Sequence, residues 1–275
     1  MLLVVIALLG QERSAQESLL ERLRAYVVDY EPRLSELMAE EVMVQRARNP
    51  TGRIEHQPVY RKLTSDIAFL RLPGEGPWLG YRSVTHVDGR AVADRSDTRL
   101  QALLAGGEAE WKRAIEIARE SARFNLGSPR TTNMPTLALE LVHPRHQGRF
   151  AFRIEGHDRI DGRRLARIAF DETERPTLIR SPQGYDVAAR GWVWVDEPTG
   201  RLFQSEVRER AIMAPTPRLF ESIVKVTFRE DATLGLLVPA RMYETFAFGS
   251  STGQGDAHYA NYRRFSTSAR IVPQP

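Results

Sequence analysis

Arg149-Phe-Ala-Phe-Arg-Ile-Glu155 and Arg163-Arg-Leu-Ala-Arg-Ile-Ala-Phe170, separated by the turn pair Asp161-Gly162, set the pattern for the C-terminal half of this 275-residue chain. Apolar and polar residues alternate, which places one set on each face of a strand. Runs at Gly191–Val195, Arg201–Glu209, Ile223–Phe228, Ala240–Phe248 and Ala257–Phe265 repeat the pattern. Turn residues fall at Pro198-Thr-Gly200, around Ala232 to Gly235, and at Gly249 to Gly255. Connections this short join antiparallel strands, because parallel neighbours need a crossover of about a dozen residues or more. The expected fold class is α+β: a large curved antiparallel sheet, an open or half barrel, wrapped around a long N-terminal helix and central lid helices.

Those helices come from the N-terminal half. Ser14-Ala-Gln-Glu17 has the form of a capping box. Leu19, Leu20, Leu23, Tyr26, Val27 and Tyr30 then share one helical face, and Leu34, Leu37 and Met38 keep its phase beyond Pro32. The phase predicts one long helix kinked at the proline. Strands are expected at Val42–Ala47, Val59–Leu72 and Trp78–Val92, the last folded back at Asp88-Gly89. Pro73 to Pro77 reads as a loop, Arg99 to Leu104 as a helical turn, and Pro135 to Val142 as a short apolar helix. Glu108 to Leu126 reads as a helix closed by Gly127. Its apolar residues, Trp111, Ala114, Ile115, Ile117, Ala118, Ala122 and Phe124, span about 200° of arc, enough to meet two surfaces.

The chain is long enough for one large domain, expected over 14–275, with 14–145 and 146–275 as its two halves. Before it, Leu2 to Leu9 is an apolar run that spans only about 12 Å as a helix. A membrane crossing takes about 30 Å, so the chain is not expected to span one. The length suits a signal-peptide core, and 1–13 is read as a remnant of one, which places the protein in the bacterial periplasm or outside the cell. A buried first strand or helix turn is the alternative, since no basic residue precedes the run.

Three lysines (Lys62, Lys112 and Lys225) stand among 39 basic residues, leaving 36 arginines spread along the chain. A nucleic-acid binder concentrates its charge on one face, so no nucleic-acid partner is expected. Cysteine is absent, which removes disulfides, thiol nucleophiles and cysteine-ligated zinc. The glycine-rich Gly249-Ser-Ser-Thr-Gly-Gln-Gly255 has neither the lysine nor the following helix of a phosphate loop. His143-Pro-Arg-His146 offers two imidazoles, but Pro144 pushes His143 out of the helical region, and no metal is assigned. No nucleophile elbow, zinc-binding His-Glu-x-x-His or dinucleotide fingerprint appears, so no catalytic residue and no cofactor is assigned. One polar cluster remains: Glu120 and Arg123 three apart at a helix end, then Arg130-Thr-Thr-Asn133, placed either to bind an anionic head group or to cap and brace the next helix.

Several segments, among them Leu63–Phe69, His86–Val92, Glu120–Gly127, Met134–Leu139, Gly191–Asp196, Leu236–Glu244 and Tyr259–Phe265, resemble a family of exported bacterial proteins with no assigned activity. That resemblance brings no catalytic residues. Trp194-Val-Asp-Glu-Pro-Thr-Gly-Arg-Leu202 also resembles a hairpin of the periplasmic lipoprotein-carrier (LolA-like) half-barrel, and the element order is similar. The resemblance implies a sheet around lid helices that binds acyl chains, here without a lipobox cysteine. The expected function is non-enzymatic, extracytoplasmic binding or carriage of a hydrophobic ligand, a lipid or acyl chain. The candidate ligand-binding residues are Trp111, Ile115, Ile117, Phe124, Glu120, Arg123 and Arg130. Two alternatives stand beside it: an envelope structural or protein–protein interaction module, and a hydrolase or transferase with an unrecognised site around Glu120, Arg123 and Arg130.

Overall fold

In a computed structural model the described residues are 2–48, 59–71, 78–92, 112, 116, 121–127, 130, 132–181, 183–213 and 217–264. Helix α1 (Leu2–Leu34) leads into β1 (Leu37–Arg48), β2 (Val59–Arg71), β3 (Trp78–Val87) and β4 (Arg90–Ala91). A 3-10 turn (Ala122–Phe124) precedes the short helices α2 (Leu137–Val142) and α3 (Pro144–Gln147). Then come β5 (Phe150–Ile160), β6 (Arg163–Glu172), β7 (Ile179–Arg180), β8 (Asp186–Val195), β9 (Leu202–Met213), β10 (Arg218–Asp231), β11 (Leu236–Phe248) and β12 (Ser251–Arg264). The strand order is β4-β3-β2-β1-β12-β11-β10-β9-β8-β6-β5, with β7 paired to β8. The chain is α+β with a large antiparallel sheet that stays open, β4 and β5 being its unjoined ends among the described residues. It divides into two compact units, Met1–Pro32 with Ala138–Pro239, and Arg33–Leu137 with Ala240–Pro275.

In the first unit α1 supplies the apolar stripe. Leu19, Leu20, Leu23, Val27 and Tyr30 are buried, each side chain contributing about 1.5–3 kcal/mol on leaving water. The Tyr30 hydroxyl donates to the Leu237 carbonyl at 2.7 Å, and Arg22 Nε donates to the Glu197 carbonyl at 2.6 Å, tying the helix to the start of β11 and to the β8–β9 turn. Gln16 reaches β5 in both directions: its amide donates to the Phe152 carbonyl at 3.1 Å and its oxygen accepts from the Ile154 amide at 3.3 Å. On the outer face, Trp192 Nε1 donates to Glu155 at 2.8 Å and Trp194 Nε1 to Asp158 at 2.7 Å. The hydrogen bond from Trp192, followed by that from Arg153, holds the Glu155 carboxyl below its ordinary range. Arg208 lies over the Trp192 ring at 4.7 Å.

In the second unit, β1 alternates strictly: Leu37, Ala39, Glu41, Met43 and Gln45 are buried, while the residues between them face outward. It pairs antiparallel with β2 and with β12, and β12 pairs with β11. Leu63, Ile67 and Phe69 of β2 and Met242 and Phe246 of β11 extend the same buried layer.

Several expectations change. Helix α1 begins at Leu2, so Ser14 lies inside it; the leucine and alanine of the apolar run propagate the helix back through the capping box. The helix ends at Leu34, with Pro32 in its last turn, and Leu37 and Met38 belong to β1. Their helical phase is overridden by pairing on both sides, Met38 lying opposite Ala68 of β2 and Arg263 of β12. Gly249 to Gly255 is a turn only at its start, because β12 opens at Ser251. Gly253 and Gly255 are strand residues whose missing side chains leave room for the Phe246 ring and for Met43 and Glu244. The turns at Asp88-Gly89 and Asp161-Gly162 are as expected, with φ of 51° and 80°, and of 48° and 78°. Residues 72–77 and 93–110 lie outside the described residues, as does most of the helix expected from Glu108.

Candidate functional site

The inward positions of β1, β3, β11 and β12 carry polar groups in phase with apolar ones. Glu41 is fully buried and takes a two-pronged contact from Arg82 of β3, Nε to Oε2 at 2.5 Å and Nη2 to Oε1 at 2.9 Å. Tyr259, directly opposite Glu41 on β12, donates its hydroxyl to the same carboxylate at 3.0 Å. Burial, and then the Glu41 charge, push the Tyr259 phenol well above its ordinary pKa. Burial works against the Arg82 charge, but the attraction and hydrogen bonds of Glu41 outweigh it and raise the guanidinium pKa.

A second pair is built the same way. Glu244 of β11 receives Arg130 through Nη2 at 2.8 Å and Nε at 3.3 Å, and the Arg130 guanidinium lies 3.5 Å from the centre of the Phe246 ring. Both partners are almost wholly buried. Forked guanidinium–carboxylate contacts suit burial because the planar cation matches both oxygens at once.

These pairs and their neighbours fasten residues 121–127, 130 and 133 onto the strands. Arg82 Nη2 also donates to the Asn133 carbonyl at 3.1 Å, and the Ser121 hydroxyl donates to the Arg82 carbonyl. Gln45 of β1 donates to the Asn125 side chain at 2.8 Å and accepts from the Leu126 amide at 2.7 Å. Asn125 donates to the Arg130 carbonyl at 3.0 Å, Arg130 Nη1 to the Leu126 carbonyl at 3.0 Å, and Arg61 of β2 to the Phe124 carbonyl at 2.8 Å. Both oxygens of Glu41 and both of Glu244 are engaged, so this network holds a segment in place by complementary charge. Among the described residues five strands contribute to it: β1, β2, β3, β11 and, through Tyr259, β12.

Of the seven residues singled out in the sequence, Trp111, Ile115, Ile117 and Glu120 lie outside the described residues. Phe124 is half-buried at the 3-10 turn, and Arg123 is exposed with its guanidinium 4.9 Å from the Phe124 ring. Arg130 turns inward to Glu244. Glu41, Gln45, Arg82, Glu244 and Tyr259 were not singled out. Their signal was present in the sequence: Leu37-x-Ala39-x-Glu41-x-Met43-x-Gln45 puts acid and amide on the apolar side of a strand, where a polar group needs a buried partner.

In the first unit His143 caps α3 with extended backbone, as Pro144 requires. His143 Nε2 lies 3.0 Å from Glu31, and His146 Nε2 lies 2.9 Å from Glu140, which Arg145 also holds at 3.0 Å. Among the described residues no three such side chains converge on a metal position.

No family model matches the sequence, and comparison with curated proteins gives no match. Among solved structures the chain is similar to a domain from Vibrio parahaemolyticus assigned to outer-membrane lipoprotein sorting, with 11% identity, TM-score 0.35, and coverage of 82% of this chain and 85% of that one. It is also similar to a DUF1329 family protein from Desulfovibrio piger, with 10% identity, TM-score 0.32 and 92% coverage of both chains.

Proposed function

We propose that the protein is an extracytoplasmic, non-enzymatic binding or carrier protein for a hydrophobic ligand, a lipid or acyl chain. The reading rests on one observation in the second unit. Residues 121–127, 130 and 133 are fastened to the strands through discrete hydrogen bonds and two ion pairs, beside a layer that includes Met43, Leu63, Ile67, Phe69, Met242 and Phe246. The layer beside that segment is apolar. Each methylene of a ligand entering that layer would gain about 0.8 kcal/mol, set against the ordering cost of binding. Trp111, Ile115, Ile117 and Glu120 precede this segment in sequence and are assigned to the same site together with Phe124, which lies in it, with Arg123 and Arg130 at its polar margin. The apolar run Leu2–Leu9 supports export, as the core of a signal peptide. Among the described residues no helix is long and apolar enough to cross a membrane.

The test is native mass spectrometry of the purified chain, with solvent extraction of anything bound and uptake of a fluorescent fatty acid. Bound lipid, or saturable uptake near one per chain, is the expected result. A chain that emerges empty and takes up no probe over micromolar concentrations would overturn the reading.

A further inference from the structure

The first unit presents an outer surface with a different chemistry at the far end of the β9–β10 hairpin. Ile212 and Leu219 stand directly opposite each other across this hairpin and are 67% and 38% exposed. From Arg210 to Phe220 the sequence carries two arginines and no acid. At the base of the apolar pair lies an open pocket of about 360 Å³ lined by Arg175, Asp186, Ala188, Arg210, Ala211 and Ile212. One step further along the same face, Arg190 of β8 lies directly opposite Arg208 of β9.

That juxtaposition is unfavourable by itself, since like charges directly across a strand pair repel. Arg208 is compensated by Glu206 at 2.7 Å and by the Trp192 ring. Arg190 makes no ion pair among the described residues. The ion pairs of the pocket cations are loose: Arg175, which also donates to the Glu174 carbonyl at 3.0 Å, lies 3.8 Å from Asp186, and Arg210 lies 3.6 Å from Glu221. Exposed pairs at such distances contribute little and exchange readily for a better anion. A phosphate oxygen pair is that anion, because it matches the guanidinium fork.

We propose that this hairpin end is a docking site for an anionic phospholipid surface, with Ile212 and Leu219 entering the acyl boundary and Arg175, Arg190 and Arg210 taking lipid phosphates. Size argues for a membrane over a protein partner. A stable protein interface buries about 800 Å² on each side, far more than two side chains supply, whereas peripheral membrane attachment combines a small apolar insertion with basic residues. A pocket of this volume also lies within the range that takes a small head group. The proposal stands on the first unit alone and does not need the carrier reading; a chain could dock without carrying lipid, or carry lipid without docking here.

The test is co-sedimentation of the full chain with vesicles of phosphatidylcholine alone and of phosphatidylcholine with one-quarter phosphatidylglycerol, at low and at physiological salt. The comparison is between the natural chain and its variants, so the Leu2–Leu9 run contributes equally to each. The natural chain is expected to prefer the anionic vesicles, and Arg190→Glu with Arg210→Glu to weaken that binding by on the order of ten-fold or more. The exposed pair Ile212→Ser with Leu219→Ser, whose fold is checked by tryptophan fluorescence, is expected to reduce binding while leaving its salt dependence in place. Equal partition to both vesicle types, or variants that sediment like the natural chain, overturns the proposal. Inorganic phosphate binding to Arg175 and Arg210 without any vesicle preference reassigns the pocket to a free anion and overturns the membrane source. Loss of a dimer in the serine variant, with no vesicle binding in either chain, makes the face a protein contact and likewise overturns it.

Discussion

Glu41 and Glu244 occupy positions that strand alternation gives to the interior, and each is held there by an arginine from another element. A buried pair of this kind adds little net stability over an apolar replacement, yet breaking it strands a charge and costs about 3–5 kcal/mol. Arg130→Met alone is therefore expected to lower the unfolding free energy by that amount, and Arg130→Met with Glu244→Leu to recover most of it. Urea unfolding of the four chains of this cycle checks both; a single variant as stable as the natural protein would contradict the assignment. Tyr259 gives a pH signature. Its folded pKa is raised by burial and then by Glu41, so the stability it contributes is whole below its unfolded pKa of about 10 and falls as pH rises beyond that value. Tyr259→Phe should cost about 1 kcal/mol near neutrality, through the lost hydrogen bond to Glu41. The same variant should flatten the alkaline loss of stability, measured by urea unfolding from about pH 8 to 11.

At the scale of elements, backbone approach decides where substitution is tolerated. Gly191 in β8 has a β-strand neighbour so close that an added Cβ would meet the Glu206 carbonyl oxygen at 1.9 Å and the Phe170 ring at 2.9 Å. The oxygen belongs to the β9 backbone, which cannot move without disturbing the β8–β9 register. Gly191→Ala is expected to destabilise by about 2 kcal/mol or more, beyond the usual overpacking cost of a flexible neighbour. Thermal unfolding followed by tryptophan fluorescence is the measurement, since Trp192 and Trp194 follow Gly191 on β8. The same spatial logic explains Gly253 and Gly255. In sequence a run of Gly, Ser and Thr reads as a turn, because the large side chains that fill the vacated space, Phe246, Met43 and Glu244, come from other strands.

Over the whole molecule, the long strands from residue 150 onward were legible because alternation and turn residues are local properties, whereas the two-residue β7 is too short to show alternation. Asp161-Gly162 and Pro198-Thr-Gly200 mark the ends of β5 and β8 without help from distant residues. Strand lengths were less legible: β10 begins at Arg218, five residues before the expected start at Ile223, because its first part faces outward and needs no apolar pattern. Leu37 and Met38 misled for the opposite reason, carrying a helical phase that only their partners on β2 and β12 could override. The buried network was half visible. Arg130 stood out by its polar neighbours, but its partner Glu244 lies 114 residues away, and no spacing in one sequence joins two such positions.

The bond between Gln16 and β5 has a consequence for solubility. β5 closes one end of the strand order, and an uncovered border of this kind recruits further chains. By offering an acceptor to the Ile154 amide and a donor to the Phe152 carbonyl, Gln16 imitates the strand that would otherwise add there. One glutamine on a helix thus occupies one donor and one acceptor of that border.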